Sequence, residues 1–435
     1  MAVQKPREIA VRVLQLRETE PDFVENIFDR ELAQARISPV DRALCQELVY
    51  GIARWQETID WLIARKTEGR EQKIDLVILL RMGLYQMFWL DRIPNHAAVH
   101  ETVEIAKKMG FTAQAGFINA VLRTYTRERT ETEKLLEQIK TSEPAIGHSH
   151  PQWIYERWQT RWGAEKTAAL MDWNNTPPKT FARVNTLKVS NAKELMNMWD
   201  IEGVKFSARK FDWTDDNLVF ELESHPPLAK LKSFQKGLFY IQDPSTLLAV
   251  KALDPKPRET ILDLCSAPGG KTTFIAQLMQ NRGKVFAQDI AWERLDLVKE
   301  NSFRLGLSCI ETSIAPEHLI EKPSLRFDRV LIDAPCSNTG VMRRRVDLRW
   351  RIRPEEMARL REAQLNLLRL AAPRLKPGGT LVYSTCSLEP EENQEVVKQF
   401  LAEHKQFTLE SERELLPFID QVDGAYVATM KSLVS

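Results

Sequence analysis

Cysteine is scarce in this chain: five among 435 residues, an odd number, with no Cys-x-x-Cys pair. That scarcity excludes a disulfide framework and a thiolate zinc site, and it fits a reducing compartment. Long apolar runs are missing too. None approaches the roughly 20 residues a membrane span needs, and the opening MAVQKPREIAVRVLQLRETE lacks the apolar core of a secretory leader. A cytoplasmic protein is expected, with neither a membrane nor a metal as partner. Nor is there an excess of either charge, since 61 Lys and Arg face 60 Asp and Glu for a net +1. Any nucleic-acid site must then be a local patch rather than the whole surface.

The length calls for more than one domain, because single cores stop growing near roughly 250 to 300 residues. Glycine and alternating stretches are rare in residues 1–140, where apolar residues recur at helical spacing, as in QELVYGIARWQETIDWLIARK and KIDLVILLRMGLYQMFWL. This predicts an all-helical first domain. Residues 141–235 hold a polar joint, a Trp-rich helical stretch, and short alternating runs (KTFARVNTL, NLVFELE) around the helical NAKELMNMWDIEG, which suggests linker helices and a small α+β module. His148 and His150 lie in the joint without a third ligand nearby and are read as joint residues, not as a metal site. From 236 to 435 the pattern becomes strand, loop, helix, strand. ETILDLC, KVFAQDI, RFDRVLID and GTLVYSTC are apolar, β-branched runs that each end beside a polar or reactive residue. A doubly wound, Rossmann-like α/β domain with a parallel sheet follows, and its ligands belong beyond the carboxyl ends of the strands.

The first of these strands runs into DLCSAPGGKTT. A phosphate-binding P-loop would need glycine six residues before Lys271, where Cys265 stands, and the GxGxxG dinucleotide pattern is absent as well. Residues Cys265, Ser266, Ala267, Pro268, Gly269, Gly270 and Lys271 still form a tight turn at a helix start, which lets a ligand approach the backbone. Asp289, ending the next strand, is placed to accept from ribose hydroxyls. Together they fit a nucleoside ligand without a required pyrophosphate, such as S-adenosylmethionine.

Two further strand units end in cysteines, Cys336 in LIDAPCSNTG and Cys386 in LVYSTCSLEPEEN. In a parallel sheet both lie on the same edge as the glycine loop. An amino-group methylase would place an aromatic ring where Cys336 stands. A thiolate instead suits methyl transfer to carbon 5 of a pyrimidine, because addition at carbon 6 makes carbon 5 nucleophilic. From the residues alone either thiol fits the attacking role. Asp333 can hold a cytosine amino group or ring nitrogen, and Lys271 can orient Asp333. Between the motifs, VMRRRVDLRWRIRPEEMARLR carries Arg343, Arg344, Arg345, Arg349, Arg351, Arg353, Arg359 and Arg361 against Asp347, Glu355 and Glu356, with Trp350 as a stacking surface. This stretch is expected to contact RNA.

DLCSAPGGKT, LIDAPCS and YSTCSLEPEEN, in this order, resemble the Nol1/Nop2/Sun family of RNA cytosine-C5 methyltransferases. FARVNTLK, YIQDPST and DGAYVATM match it too, while GLYQMFWLDRIPNHAAVHETVEIAKK and GFINAVLRTY resemble the helical RNA-binding domain of the antitermination factor NusB. The combination points to the bacterial branch of that family acting on 16S rRNA. The resemblance implies an enzyme using S-adenosylmethionine, with the loop Cys265 to Lys271, Asp289 and Asp333 at the cofactor. It also implies Cys386 as the nucleophile and Cys336 as the group that helps release the product. A monomer acting on 16S rRNA is expected; the alternatives are a tRNA cytosine-C5 methyltransferase and a non-catalytic RNA-binding factor. One departure stands out. The family's acid after the third strand is replaced by Thr312, Ser313, Ile314 and Ala315 in SCIETSIAPEHL, which leaves Glu311 as the nearest candidate for the adenine contact.

Overall fold

A computed structural model describes residues 5–315 and 324–433. They divide into two compact units. The first runs up to Pro177 and includes Met342–Arg351; the second comprises Pro178–Val341 and the chain from Ile352 onward. Helices Gln152–Trp162 and Ala164–Asn175, expected beside the α+β module, thus belong to the first unit.

The first unit is helical throughout its described residues. Helix Ile74–Phe88 is buried on nearly every face, from Leu76 to Met87. A helix apolar on all sides is stable only when wrapped by others, and Pro6–Thr19, Pro39–Arg54, Gln56–Thr67, Asn95–Lys108 and Ala115–Arg127 all pack against it. Gly51 makes room for this core, since a Cβ there would fall on the Tyr85 ring. His150 is buried, bonded to the His148 carbonyl at 2.7 Å and set against the Trp158 ring. Burial first, then Arg349, push its pKa well below the ordinary value.

The Arg-rich stretch is exposed only in part: Arg343 and Arg349 are buried, while Arg345, Arg353 and Arg359 are exposed. Met342–Arg351 packs into the helical unit. Arg349 is fully buried and donates to the Ser149 carbonyl at 3.0 Å, the Asn174 carbonyl at 3.1 Å and Asn175 Oδ1 at 2.8 Å. Trp350 Nε1 donates to the Ala53 carbonyl at 2.6 Å. Ala53 and Asn174 lie in the last turns of their helices, where carbonyls lack intrahelical donors; the guanidinium and the indole supply them. Asp347, also fully buried, binds Arg17 at 2.5 Å and Arg351 at 2.6 Å. Farther along, Arg359 pairs with Glu356 and Arg361 with Glu395.

The second unit holds two sheets. Strands β1 (Thr180–Val184), β2 (Lys205–Arg209), β3 (Val219–Ser224) and β4 (Phe239–Ile241) form an antiparallel sheet in the order β2-β3-β1-β4. Helix Ala192–Ile201 packs Leu195 and Trp199 against Val184, Phe220 and Phe239 of this sheet. Strands β5 (Thr260–Leu264), β6 (Lys284–Asp289), β7 (Ile310–Ile314), β8 (Phe327–Asp333), β9 (Leu375–Thr385), β10 (Phe407–Leu415) and β11 (Ala425–Ser432) build the larger one, ordered β10-β11-β9-β8-β5-β6-β7. β5 to β9 are parallel, and β10 and β11 add an antiparallel edge. The inner strands are buried along nearly their whole length. That is why they read as continuous apolar runs rather than alternating ones. The chain winds outward from β5 to β7, then crosses back to β8. The order therefore reverses between β5 and β8, and a crevice opens beyond their carboxyl ends.

Candidate active site

β5 leads directly into the glycine turn. Cys265 adopts φ 61° and Gly269 φ 100°, and Ala267–Pro268 is a cis peptide. Gly269 caps helix Gly270–Leu278 in a conformation that a side chain would strain. Asp289, at the end of β6 and 1% exposed, ties the turn down: Oδ2 accepts from Ala267 N at 3.0 Å. Its Oδ1 accepts from Ile290 N at 2.8 Å and pairs with Arg294 at 2.9 Å. The Cys265 thiol is pushed up to about 12 by burial first and by Asp289 next. That favours the thiol at neutral pH.

β8 and β9 run side by side, with Asp333 opposite Ser384, so the loops after them emerge together. Cys336 Sγ lies 3.4 Å from Cys386 Sγ, and both cysteines are free thiols. Cys386 Sγ also donates to Asn338 Oδ1 at 3.0 Å, while Asn338 Nδ2 holds the Cys336 carbonyl at 2.7 Å. The hydrogen bond to Cys386, and then burial, push the Cys336 pKa well above the ordinary value. Cys336 is thus held as a thiol.

Glu392 sets the spacing of these loops. Fully buried, it accepts from Ser337 N at 2.8 Å, from Ser387 Oγ at 2.5 Å, from Gln364 Nε2 at 3.1 Å and from Ser337 Oγ. One carboxylate thus joins the residue after Cys336 to the residue after Cys386, using charge-assisted bonds roughly twice as strong as neutral ones. Gly340 completes the clamp: its N donates to the Cys386 carbonyl at 2.9 Å, and a Cβ would come within 2.6 Å of that oxygen.

Asp333 faces the same space. Its Oδ2 pairs with Lys271 Nζ at 2.6 Å, and its Oδ1 accepts from Ser384 Oγ at 3.0 Å. Burial works to lower the Lys271 pKa, but Asp333 outweighs it and holds the ammonium above its ordinary value. Cys265 to Pro268, Gly270, Lys271 and Asp333 line a cavity of about 240 Å³ with Tyr240, Gln242, Asp243 and Asp263. A larger groove of about 850 Å³ lies in the helical unit, beside helices Asn95–Lys108 and Ala115–Arg127, and holds none of these groups.

Glu311 is corrected as an adenine contact. It is the second residue of β7, near the amino end of the strand, and pairs with Lys284 at 2.7 Å; the site is at the other end. From 316 onward that stretch lies outside the described residues. Asn338, Ser384 and Glu392 were not singled out from the sequence, although all three lie inside or next to the quoted motifs. Their residue types are common along the chain, and the pairing of β8 with β9 brings them to the site.

The profile of the family described as 16S rRNA methyltransferase RsmB/F matches residues 250–431, that of the NusB family residues 4–127, and that of an RsmF/B-like ferredoxin-like domain residues 150–221. The probable ribosomal RNA small subunit methyltransferase B of Bacillus subtilis is 36% identical over 98% of both chains. The chain belongs to the ribosomal RNA small subunit methyltransferase B family. A member from Erwinia tasmaniensis is 35% identical over 92% of each chain. Among solved structures, PH0851 superposes with a TM-score of 0.78 at 23% identity, over 99% of this chain and 100% of that one. A methyltransferase homolog from Pyrococcus horikoshii gives a TM-score of 0.59 at 29% identity, over 67% of this chain and 98% of that one. As a member of the methyltransferase B family the chain is an enzyme. The expected NusB-like helical region, α+β module and Rossmann-like α/β methyltransferase domain are its architecture.

Proposed function

We propose that this protein methylates carbon 5 of a cytosine in 16S rRNA, with S-adenosylmethionine as the methyl donor. The observation that carries the reading is the Cys336–Cys386 pair, 3.4 Å apart, at one sheet edge with the Lys271–Asp333 ion pair and the glycine turn. Bound S-adenosylmethionine supplies an electrophilic methyl on a sulfonium. The Cys265–Lys271 turn and Asp289 hold its nucleoside, and Asp333 faces both cofactor and base.

Cys386 is the nucleophile. Its thiolate would add to carbon 6, and the electrons of the 5,6 double bond would then take the methyl at carbon 5 as the methyl–sulfur bond breaks, its electron pair leaving with S-adenosylhomocysteine. A base then removes the carbon 5 proton, the double bond re-forms and the Cys386 thiolate is expelled. Cys336, which keeps its proton, donates to the Cys386 sulfur and stabilises its negative charge at departure. Lys271, held as an ammonium by Asp333, supplies the positive charge beside the reacting groups. Asp333 accepts from the cytosine amino group or the protonated ring nitrogen. Within the three-part division at 140 and 235, the NusB-like part binds the RNA, and the enzyme works as a cytoplasmic monomer.

Two experiments test this. Cys336→Ala should accumulate a covalent protein–RNA adduct on denaturing gels, and Cys386→Ala should form none; an adduct in the Cys386→Ala protein reverses the two roles. Bisulfite sequencing of a strain lacking the gene should lose one 16S signal. An unchanged 16S profile with a lost tRNA signal moves the substrate to tRNA.

A further inference from the structure

At 3.4 Å either of the two thiols can donate to the other. Asn338 removes that ambiguity. Its Nδ2 lies 2.7 Å from the Cys336 carbonyl, which can only accept, so the amide nitrogen is the atom on that side. The amide oxygen is thereby turned to Cys386 Sγ, at 3.0 Å. That oxygen also only accepts, so the Cys386 proton lies on the bond to Asn338. The one donor left for the sulfur–sulfur contact is the Cys336 S–H, and it points at Cys386.

The turn that carries Asn338 is anchored on both sides. Ser337 shares the Glu392 carboxylate with Ser387, and Thr339 Oγ1 accepts from Leu388 N at 2.9 Å. Asn338 itself adopts φ 58°, the left-handed region, which asparagine enters more readily than other side chains do. Val341 N closes the turn on the Asn338 carbonyl at 3.0 Å.

We propose that Asn338 is a further catalytic residue, which directs both thiol protons through its contact with the reacting sulfur and shortens the life of the covalent adduct. The proposal rests on the reading of Cys386 as the nucleophile. Once Cys386 is bonded to carbon 6 it has no proton, and Asn338 Oδ1 faces the sulfur lone pairs without a donor between them. Two acceptors so placed disfavour the adduct relative to the resting thiol. When the carbon–sulfur bond breaks, its electron pair goes to the sulfur, where the Cys336 S–H is already aimed. The thiolate then takes a proton from water and donates to Asn338 again. Without Asn338 the sulfur–sulfur bond can run in either direction, and the exit step loses its fixed donor.

Two measurements on the full-length chain test this. Asn338→Gly keeps the left-handed turn and removes the amide. With S-adenosylmethionine and labelled 16S rRNA, chased with unlabelled RNA and quenched on denaturing gels, its adduct should outlive that of wild type by about three- to tenfold. The adduct of Cys336→Ala should last longer still, and S-adenosylhomocysteine affinity should be the same in all three. An adduct life equal to wild type, or no adduct, overturns the proposal. The second measurement is Raman spectroscopy without RNA, in the Cys336→Ala protein. The Cys386 S–H band, isolated by subtracting the spectrum of the Cys336→Ala/Cys386→Ala protein, should lie at the low frequency of a thiol donating to oxygen and rise when Asn338→Gly is added. A band at the free-thiol frequency while Asn338 is present overturns the proposal, even if Asn338→Gly does not fold. An adduct in the Cys386→Ala protein fails the nucleophile reading and the proposal with it; no adduct there, with an unchanged Asn338→Gly, fails the proposal alone.

Discussion

Asp263 shows at the scale of one residue how a buried acid on the cavity wall opposes folding. Its pKa is raised to about 7 by burial first and by the nearby Asp333 and Asp289 charges, against the lowering effects of the Thr272 hydroxyl and Lys271. An acid whose folded value lies above the unfolded value of about 3.9 contributes stability that is complete below that value. The contribution disappears as pH rises through the folded value near 7. Asp263→Asn removes the titration while keeping an oxygen for the site. The ligand-free variant should therefore gain on wild type as pH rises from 5 to 8, by about 2 to 4 kcal/mol at the upper end. Denaturant unfolding at the two pH values measures this; a constant difference would mean that Asp263 is already ionised at pH 5. Sequence reading found the neighbours of Asp263 because cysteine, glycine and strand-end acids are conspicuous. It passed over Asp263, Asn338 and Glu392, whose importance lies in what each touches.

The strand elements were legible because a parallel strand covered on both faces leaves a continuous apolar run, as in ETILDLC and GTLVYSTC. β10 was harder to see. FTLESEREL is half exposed and charged, and only its pairing with β11 places it in the sheet. Within the Arg-rich stretch, Arg349 is buried for a physical reason. Charge in a sequence implies solvent or phosphate, yet a guanidinium carries five donors and serves equally well among the free carbonyls of helix ends. Arg349→Ala should accordingly lower the stability of the helical unit by about 3 kcal/mol or more. RNA affinity and its salt dependence should not change once the variant is held below its melting range. A shallower salt slope in filter-binding measurements would restore the phosphate-contact reading.

For the whole molecule, two compact units with their own cores imply that unfolding is not a single step. Calorimetry should resolve two transitions. S-adenosylhomocysteine should raise only the one belonging to the unit from Pro178, through binding to its native state, and Arg349→Ala should lower only the other. One transition moved by both changes would show that the units melt together. A near-neutral chain, at +1, gives no general attraction to RNA. Recognition must come from local surface, and the basic side chains beside the helical groove (His96, His100, Lys107, Arg123 and Arg127) are one such place.

The helical unit includes Met342–Arg351, a segment that follows Pro177 only after most of the catalytic domain. During synthesis, the helices up to Asn175 emerge first, with the carbonyls of Ala53, Ser149 and Asn174 still lacking Arg349 and Trp350. At about 5–20 residues per second the missing piece arrives on the order of ten to thirty seconds later. The first part of the protein to leave the ribosome is thus among the last to be finished, and a ribosome that stalls before residue 351 leaves its helical unit incomplete.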